Sequence, residues 1–239
     1  MSSYLSKASN PKQYDLGEVR WDQEGSGDNY FRRLFLESID DFIGEVKNKT
    51  ILDVGSGTGW LVSELNNRGA KVIGIDPSKT NLLTANARYP KLEFRLVPIE
   101  DFNYKKRFDI VICVMVFEHI PDLENAFEKI NSLLKPDGRL IVITGDFNKF
   151  VKSRFGYTVE REIIEDEIVA TKTNYGERMG VLYDINRTPN KYIETAISHD
   201  LKIKVYKPIQ PTEWLIGEQE KYAQFSGNSI FHLYIFERS

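Results

Sequence analysis

With 239 residues, 41% of them hydrophobic and 28% charged, the chain can build one large globular domain around a substantial core. A net charge of -3 provides no basic field of the kind a nucleic-acid binder presents, so nucleic acid is not an expected partner. The single cysteine, Cys113, excludes an intramolecular disulfide and any cysteine-based metal site, and no metal is expected. The polar residues 1–17 lack an apolar leader core, and no run approaches the roughly 20 apolar residues that span a bilayer. The expectation is a cytoplasmic protein with no membrane partner.

Residues 12–28 are aromatic but irregular, and residues 29–46 place Phe31, Leu34, Phe35, Ile39, Phe42 and Ile43 on one face of an amphipathic helix. From 50 to 144, short apolar runs alternate with helical patterns, which predicts βαβ units and a parallel sheet. Strands are expected at 50–54, 71–75, 108–114 and 139–144, with a weaker one at 92–96. Leu61, Val62 and Leu65 share a helical face just after the first strand, and a second helix is expected at 80–89. The helix 122–134 is the clearest, with Asp122 as its N-cap; Lys135-Pro136-Asp137-Gly138 ends it and turns the chain back.

Residues 158–164, 167–173 and 181–185 alternate in the manner of strands without continuing the parallel pattern. They predict a mostly antiparallel excursion within 147–188. Order of the earlier kind returns with a helix at 189–200, a strand at 202–207, a helix at 211–224 and a last strand at 229–237.

The densest information lies in Ile51-Leu52-Asp53-Val54-Gly55-Ser56-Gly57-Thr58-Gly59, an apolar strand running into alternate glycines. Glycine admits positive φ and lets a ligand approach the main chain closely, so the segment reads as a nucleoside-cofactor loop. Asp76, twenty-one residues after Gly55, ends the second strand in Ile75-Asp76-Pro77-Ser78. There a carboxylate can accept hydrogen bonds from both hydroxyls of a ribose; the alternative is that Asp76 only caps the next helix. The dinucleotide fingerprint G-x-G-x-x-G requires glycine at position 60, which is Trp60.

Asp53 followed by Gly55, Gly57 and Gly59 resembles motif I of the class I S-adenosylmethionine-dependent methyltransferases. Val72-Ile73-Gly74-Ile75-Asp76 is similar to that family's second motif. The segment 108–115 with Phe117-Glu118-His119-Ile120 resembles its fourth-strand motif, and 134–140 the motif before strand five. All four occur in order. The resemblance implies a Rossmann-like α/β fold: a seven-stranded, mostly parallel sheet with helices on both faces and an antiparallel last strand. Residues 1–46 would form an N-terminal helical lid segment and 47–239 the methyltransferase domain, with 147–188 as an acceptor-side insertion.

It implies S-adenosylmethionine as methyl donor and S-adenosylhomocysteine as product. Asp53, Gly55, Ser56 and Gly57 would lie under the methionine part, Asp76 at the ribose, Pro77, Ile99 and Glu100 at the adenine, and Val114 and Met115 near the amino-acid portion. Many relatives carry an acid where this chain has Pro98, so a side-chain bond to the adenine amine would come from elsewhere, such as Asp101. The Glu118-His119 pair is similar to a metal-binding segment of quinone-biosynthesis O-methyltransferases, but their further acid falls on Met115.

A sulfonium methyl is already activated, so the protein mainly aligns the reactants. For a hydroxyl or protonated-nitrogen acceptor, His119 beyond strand four is the candidate base; the other reading is that it caps its loop. Candidate contacts to a small-molecule acceptor are Tyr14, Trp21, Tyr30, Tyr157, Tyr175, Tyr183, Arg187 and Trp214, with Arg32 or Arg33 for the methionine carboxylate. Cys113, inside an apolar strand, reads as core. A NAD-dependent oxidoreductase and a non-catalytic cofactor-binding scaffold are the rival functions. Oligomeric state stays open, a homodimer included.

Overall fold

The computed structural model describes residues 3–14, 28–153, 157–176 and 180–238. Its larger sheet has seven strands: β1 (Thr50–Val54), β2 (Lys71–Asp76), β3 (Glu93–Leu96), β4 (Phe108–Val114), β5 (Leu134–Gly145), β9 (Leu201–Ile209) and β10 (Phe231–Arg238). The strand order is β3-β2-β1-β4-β5-β10-β9. β10 inserts antiparallel between β5 and β9, and the remaining neighbours run parallel, as expected.

Strand periodicity explains why both faces are covered. Ile110, Ile112, Ile141, Ile143, Leu233 and Ile235 point to one helical layer, while Val111, Cys113, Leu140, Val142, Tyr234 and Phe236 point to the other. The first face meets α2 (Asp28–Ile43) through Leu34, Phe35, Ile39 and Ile43, and α3 (Trp60–Asn67) through Leu61, Val62 and Leu65. The second meets α5 (Leu123–Leu133) and α7 (Pro189–Ser198). Cys113 is fully buried there, and burial pushes its thiol well above the ordinary range.

The excursion is a separate antiparallel sheet of β6 (Thr158–Glu165), β7 (Ile168–Asn174) and β8 (Val181–Arg187). The first helix, α1 (Ser3–Ala8), rests on it: Tyr4 Oη donates to Glu160 at 2.8 Å, and the Tyr183 amide donates to Gln13 Oε1 at 3.0 Å.

Three local expectations change. The helix α4 (Lys79–Arg88) is capped by Ser78, whose Oγ accepts from the Asn81 amide at 3.2 Å, leaving the Asp76 carboxylate for another role. β5 begins at Leu134, which pairs with Phe108; the turn residues are absorbed in a register slip before Arg139 meets Ile110. The helix expected at 211–224 divides into α8 (Glu213–Glu218) and a 3-10 helix (Glu220–Phe225), because Gln219 between them is extended. Between β5 and β6 a single turn, α6 (Phe147–Phe150), is capped by Asp146. Among the described residues no helix is long and apolar enough to cross a membrane.

Candidate active site

The strand order reverses between β1 and β4, and open α/β sheets leave a crevice at the carboxyl ends of such a pair. A cavity of about 820 Å³ occupies that place, toward the upper end of the range for small-molecule sites.

Its floor is the glycine loop. Gly55, Gly57 and Gly59 all have positive φ. A Cβ on Gly55 would stand 2.4 Å from Val116 Cγ2, so this glycine is fixed by packing, whereas a Cβ on Gly57 would meet nothing within 4 Å. Gly57 is bare because the space over it is open. Its amide donates to Asp76 Oδ2 at 2.9 Å, while Asp76 Oδ1 accepts from the Ser78 amide at 2.8 Å and Asn81 Nδ2 at 3.4 Å. A carboxylate has about four lone-pair sites, so Asp76 retains accepting capacity toward the cavity it lines. Burial raises its pKa, partly offset by those donors. Neighbouring Asp53 is also buried, and burial followed by the Asp76 charge raises it well above the carboxylate range. Ser56 Oγ is buried without a hydrogen-bond partner among the described residues.

Beyond β4, Met115 adopts a left-handed φ of 55°, uncommon for a side chain of its size, with its amide donating to Ile143 O at 2.8 Å. That bend directs the next residues into a short 3-10 helix, Phe117–His119. Glu118 is 2% exposed; its Oε1 accepts from the Gly145 amide at 2.7 Å, and its Oε2 has no hydrogen-bond partner among the described residues. Burial pushes this carboxyl up to about 7. His119 Nδ1 lies 3.7 Å from Asp184 Oδ1 of β8, and burial pushes the imidazole down to about 4.

The cavity lining includes every expected cofactor residue: Asp53, Gly55, Ser56, Gly57, Asp76, Pro77, Ile99, Glu100, Val114 and Met115, and it adds Trp60 and Asn81. His119, Arg32, Tyr157 and Tyr175 also line it. Four expected acceptor contacts and Arg33 do not. Arg187 is 3% exposed and points into protein, donating to the carbonyls of Phe117 at 2.8 Å, Ile120 at 2.7 Å and Pro121 at 3.1 Å. Trp214 lies under the Arg33 guanidinium at 4.1 Å with its indole N–H on Glu37, which places both on the outer side of α2. Tyr183 is held by Tyr4 and Lys7 on the small sheet, and Tyr30 packs against the core. Asp101 is exposed and not part of the wall. Trp21 and the Tyr14 side chain lie outside the described residues.

Sequence reasoning left out Glu118 as a group in its own right, and Lys149, Lys221, Tyr222, Phe225 and Phe231, all of which line the cavity. For Glu118 a signal existed, since it is a lone charge in the apolar run Val116-Phe117-Glu118-His119-Ile120.

Residues 52–142 match the family profile described as "Methyltransferase domain". The ubiquinone biosynthesis O-methyltransferase of Bradyrhizobium diazoefficiens is 36% identical over 98 residues, 39% of each chain. That of Acinetobacter baylyi is 32% identical over 137 residues, 52% of this chain and 56% of the relative. The match thus spans about two fifths of the length of the first of these curated relatives. An S-adenosylmethionine-dependent methyltransferase structure from Mesorhizobium loti superposes with TM-score 0.69 at 18% identity, covering 86% of this chain and 98% of its own. A geranyl diphosphate C-methyltransferase from Streptomyces coelicolor, solved with Mg2+, geranyl diphosphate and S-adenosyl-L-homocysteine, gives 0.67 at 14%, covering 100% and 99%.

Residues 52–142 are thus similar to a methyltransferase domain, and the chain around them has the Rossmann-like fold of the methyltransferase structures it superposes on.

Proposed function

We propose that this chain transfers a methyl group from S-adenosylmethionine to an oxygen or nitrogen of a small molecule. The observation that carries the reading is the Asp76 carboxylate, buried at the cavity wall beside the open space over Gly57. The cradle fits a nucleoside with adjacent hydroxyls: Asp76 has accepting capacity, Gly57 leaves room for close approach, and Ser56 Oγ is a buried polar atom awaiting a partner. Arg32, at the wall and 5.8 Å from the Trp60 ring, is placed for the methionine carboxylate. When bound, S-adenosylmethionine supplies a methyl group on a sulfonium, already activated for transfer.

The residues of this chain then orient the acceptor and take its proton. Two groups just beyond β4 are candidates, Glu118 and His119. General-base catalysis is best served by a pKa near the working pH, and His119, held near 4, keeps a proton poorly there. Glu118, near 7 and with a free Oε2, is the better base. The acceptor's O–H or N–H bond breaks toward the Glu118 carboxylate, and its lone pair is left facing the methyl. Ser9 together with Tyr157, Tyr175, Leu182 and Asp184 walls the acceptor end, so the N-terminal segment and the small sheet act as its lid.

Calorimetric titration with S-adenosylhomocysteine tests the reading. One-site binding in the micromolar range, with no binding of NAD, is expected. Binding of NAD in place of S-adenosylhomocysteine would transfer the site to the oxidoreductase reading.

A further inference from the structure

Beyond the cofactor half, the cavity has one wall of aromatic rings. Phe150, on α6, packs at 5.8 Å against Phe231 of β10, and Tyr222 and Phe225 follow on the 3-10 helix after α8. Two ammonium groups lie on that wall: Lys149 Nζ stands 5.5 Å from the Phe225 ring and Lys221 Nζ 5.3 Å from the Tyr222 ring. Asp146, the carboxylate on the same turn as Lys149, is already occupied by the Lys149 main-chain amide at 3.2 Å, by Ser229 Oγ and by His232 at 3.0 Å. Among the described residues no carboxylate lies within 4.0 Å of Lys149 Nζ. The exposed Lys221 side chain also lines the cavity, and partial desolvation draws its ammonium below the ordinary range. The same cavity is also lined by the carboxylates Glu118 and Asp184, Glu118 being held by the Gly145 amide at the end of β5.

We propose that Lys149 and Lys221 form an anion subsite, so that the methyl acceptor is a flat, largely apolar molecule carrying an anionic group. This rests on the methyl-transfer reading and narrows it. The aromatic wall takes the ring or chain of the acceptor by apolar burial and stacking. The lysines hold its anionic group by charge-assisted hydrogen bonds.

Three probes of matched ring size separate the charges: 4-hydroxybenzoate, 4-hydroxybenzamide and 4-hydroxybenzylamine, each titrated into protein saturated with S-adenosylhomocysteine. The benzoate is expected to bind about ten-fold more tightly than the benzamide, as one charge-assisted bond implies, with the benzylamine weakest. Lys149→Gln with Lys221→Gln should erase that preference while S-adenosylhomocysteine affinity is retained, and Lys149→Arg should keep it. Should the double variant fold poorly, Lys221→Gln alone, a change at an exposed side chain, should reduce the preference. Equal binding of the three, a preference for the benzylamine, or no binding of any probe to protein that does bind S-adenosylhomocysteine would overturn the anion subsite. Failure to bind S-adenosylhomocysteine would instead overturn the methyl-transfer reading.

Discussion

The Asp76 carboxylate accepts the Gly57 amide at 2.9 Å, which ties the end of β2 to the glycine loop after β1 across the parallel pair. One side chain thus sets the loop and faces the ligand. Asp76→Ala should weaken S-adenosylhomocysteine binding at least about ten-fold, because hydrogen bonds to a charged group contribute roughly 1.5–3 kcal/mol each. It should also lower stability, since the Gly57 and Ser78 amides lose their acceptor. Calorimetry reads the first effect and thermal unfolding the second; undiminished affinity would remove Asp76 from the cofactor site.

Gly55 and Gly57 separate structure from binding. Gly55→Ala places a methyl 2.4 Å from Val116 Cγ2 in a left-handed backbone, an overpacking cost of about 1–3 kcal/mol with further strain. Its Tm should fall by several degrees, and Val116→Ala in the same chain should restore part of the loss. Gly57→Ala meets no atom of the described residues within 4 Å, so it should affect Tm less and S-adenosylhomocysteine affinity more. The reverse ranking would show that the ligand does not lie over Gly57.

The contrast between these glycines also marks how far the sequence could be read. The spacing of Asp53, Gly55, Gly57 and Asp76 is local, and strand periodicity carries each of these residues to the same sheet edge. Lys149, Tyr222 and Phe225 have no comparable spacing. Lys149 follows β5 directly, and Tyr222 and Phe225 reach the cavity because β10 inserts between β5 and β9, bringing a segment far apart in sequence to the end of β5. Arg187 misled for the same reason: an arginine beyond a strand-like run reads as a ligand contact, but its partners are carbonyls about 70 residues earlier. Ser78 took the helix cap because it sits next to the first helical residue, which left Asp76 for the loop.

Glu118 and His119 impose opposite pH dependences. Glu118 is raised from 4.5 to about 7, so the stability it allows is full below pH 4.5 and is lost as pH rises toward 7, on the order of 3 kcal/mol. His119 is lowered from 6.5 to about 4, so its contribution is present above pH 6.5 and is lost as pH falls toward 4. Relative to the unmodified chain, Glu118→Gln should gain stability as pH rises from 4.5 to 7, whereas His119→Gln should gain as pH falls from 6.5 to 4. Denaturant midpoints across pH 4–8 measure both. With a methyl acceptor in hand, turnover should rise through pH 7 if Glu118 takes the proton; a rise centred near pH 4 would return that role to His119.

Arg187 joins the two halves of the acceptor site without touching the cavity. Its guanidinium holds the carbonyls of Phe117, Ile120 and Pro121, the segment that carries Glu118 and His119, while its backbone ends β8, the strand of Asp184. Losing it leaves buried carbonyls without donors, which should cost about 3 kcal/mol or more in Arg187→Met. Its charge also acts on Glu118, lowering that carboxyl against the rise from burial. In Arg187→Met the Glu118 pKa should therefore climb further, and the pH of half-maximal turnover should move to the alkaline side. Arg187→Lys keeps the charge but replaces the planar fork by a single ammonium, so it should recover most of the pH profile and little of the stability. A Met variant whose pH profile matches the unmodified chain would show that Arg187 only braces the fold.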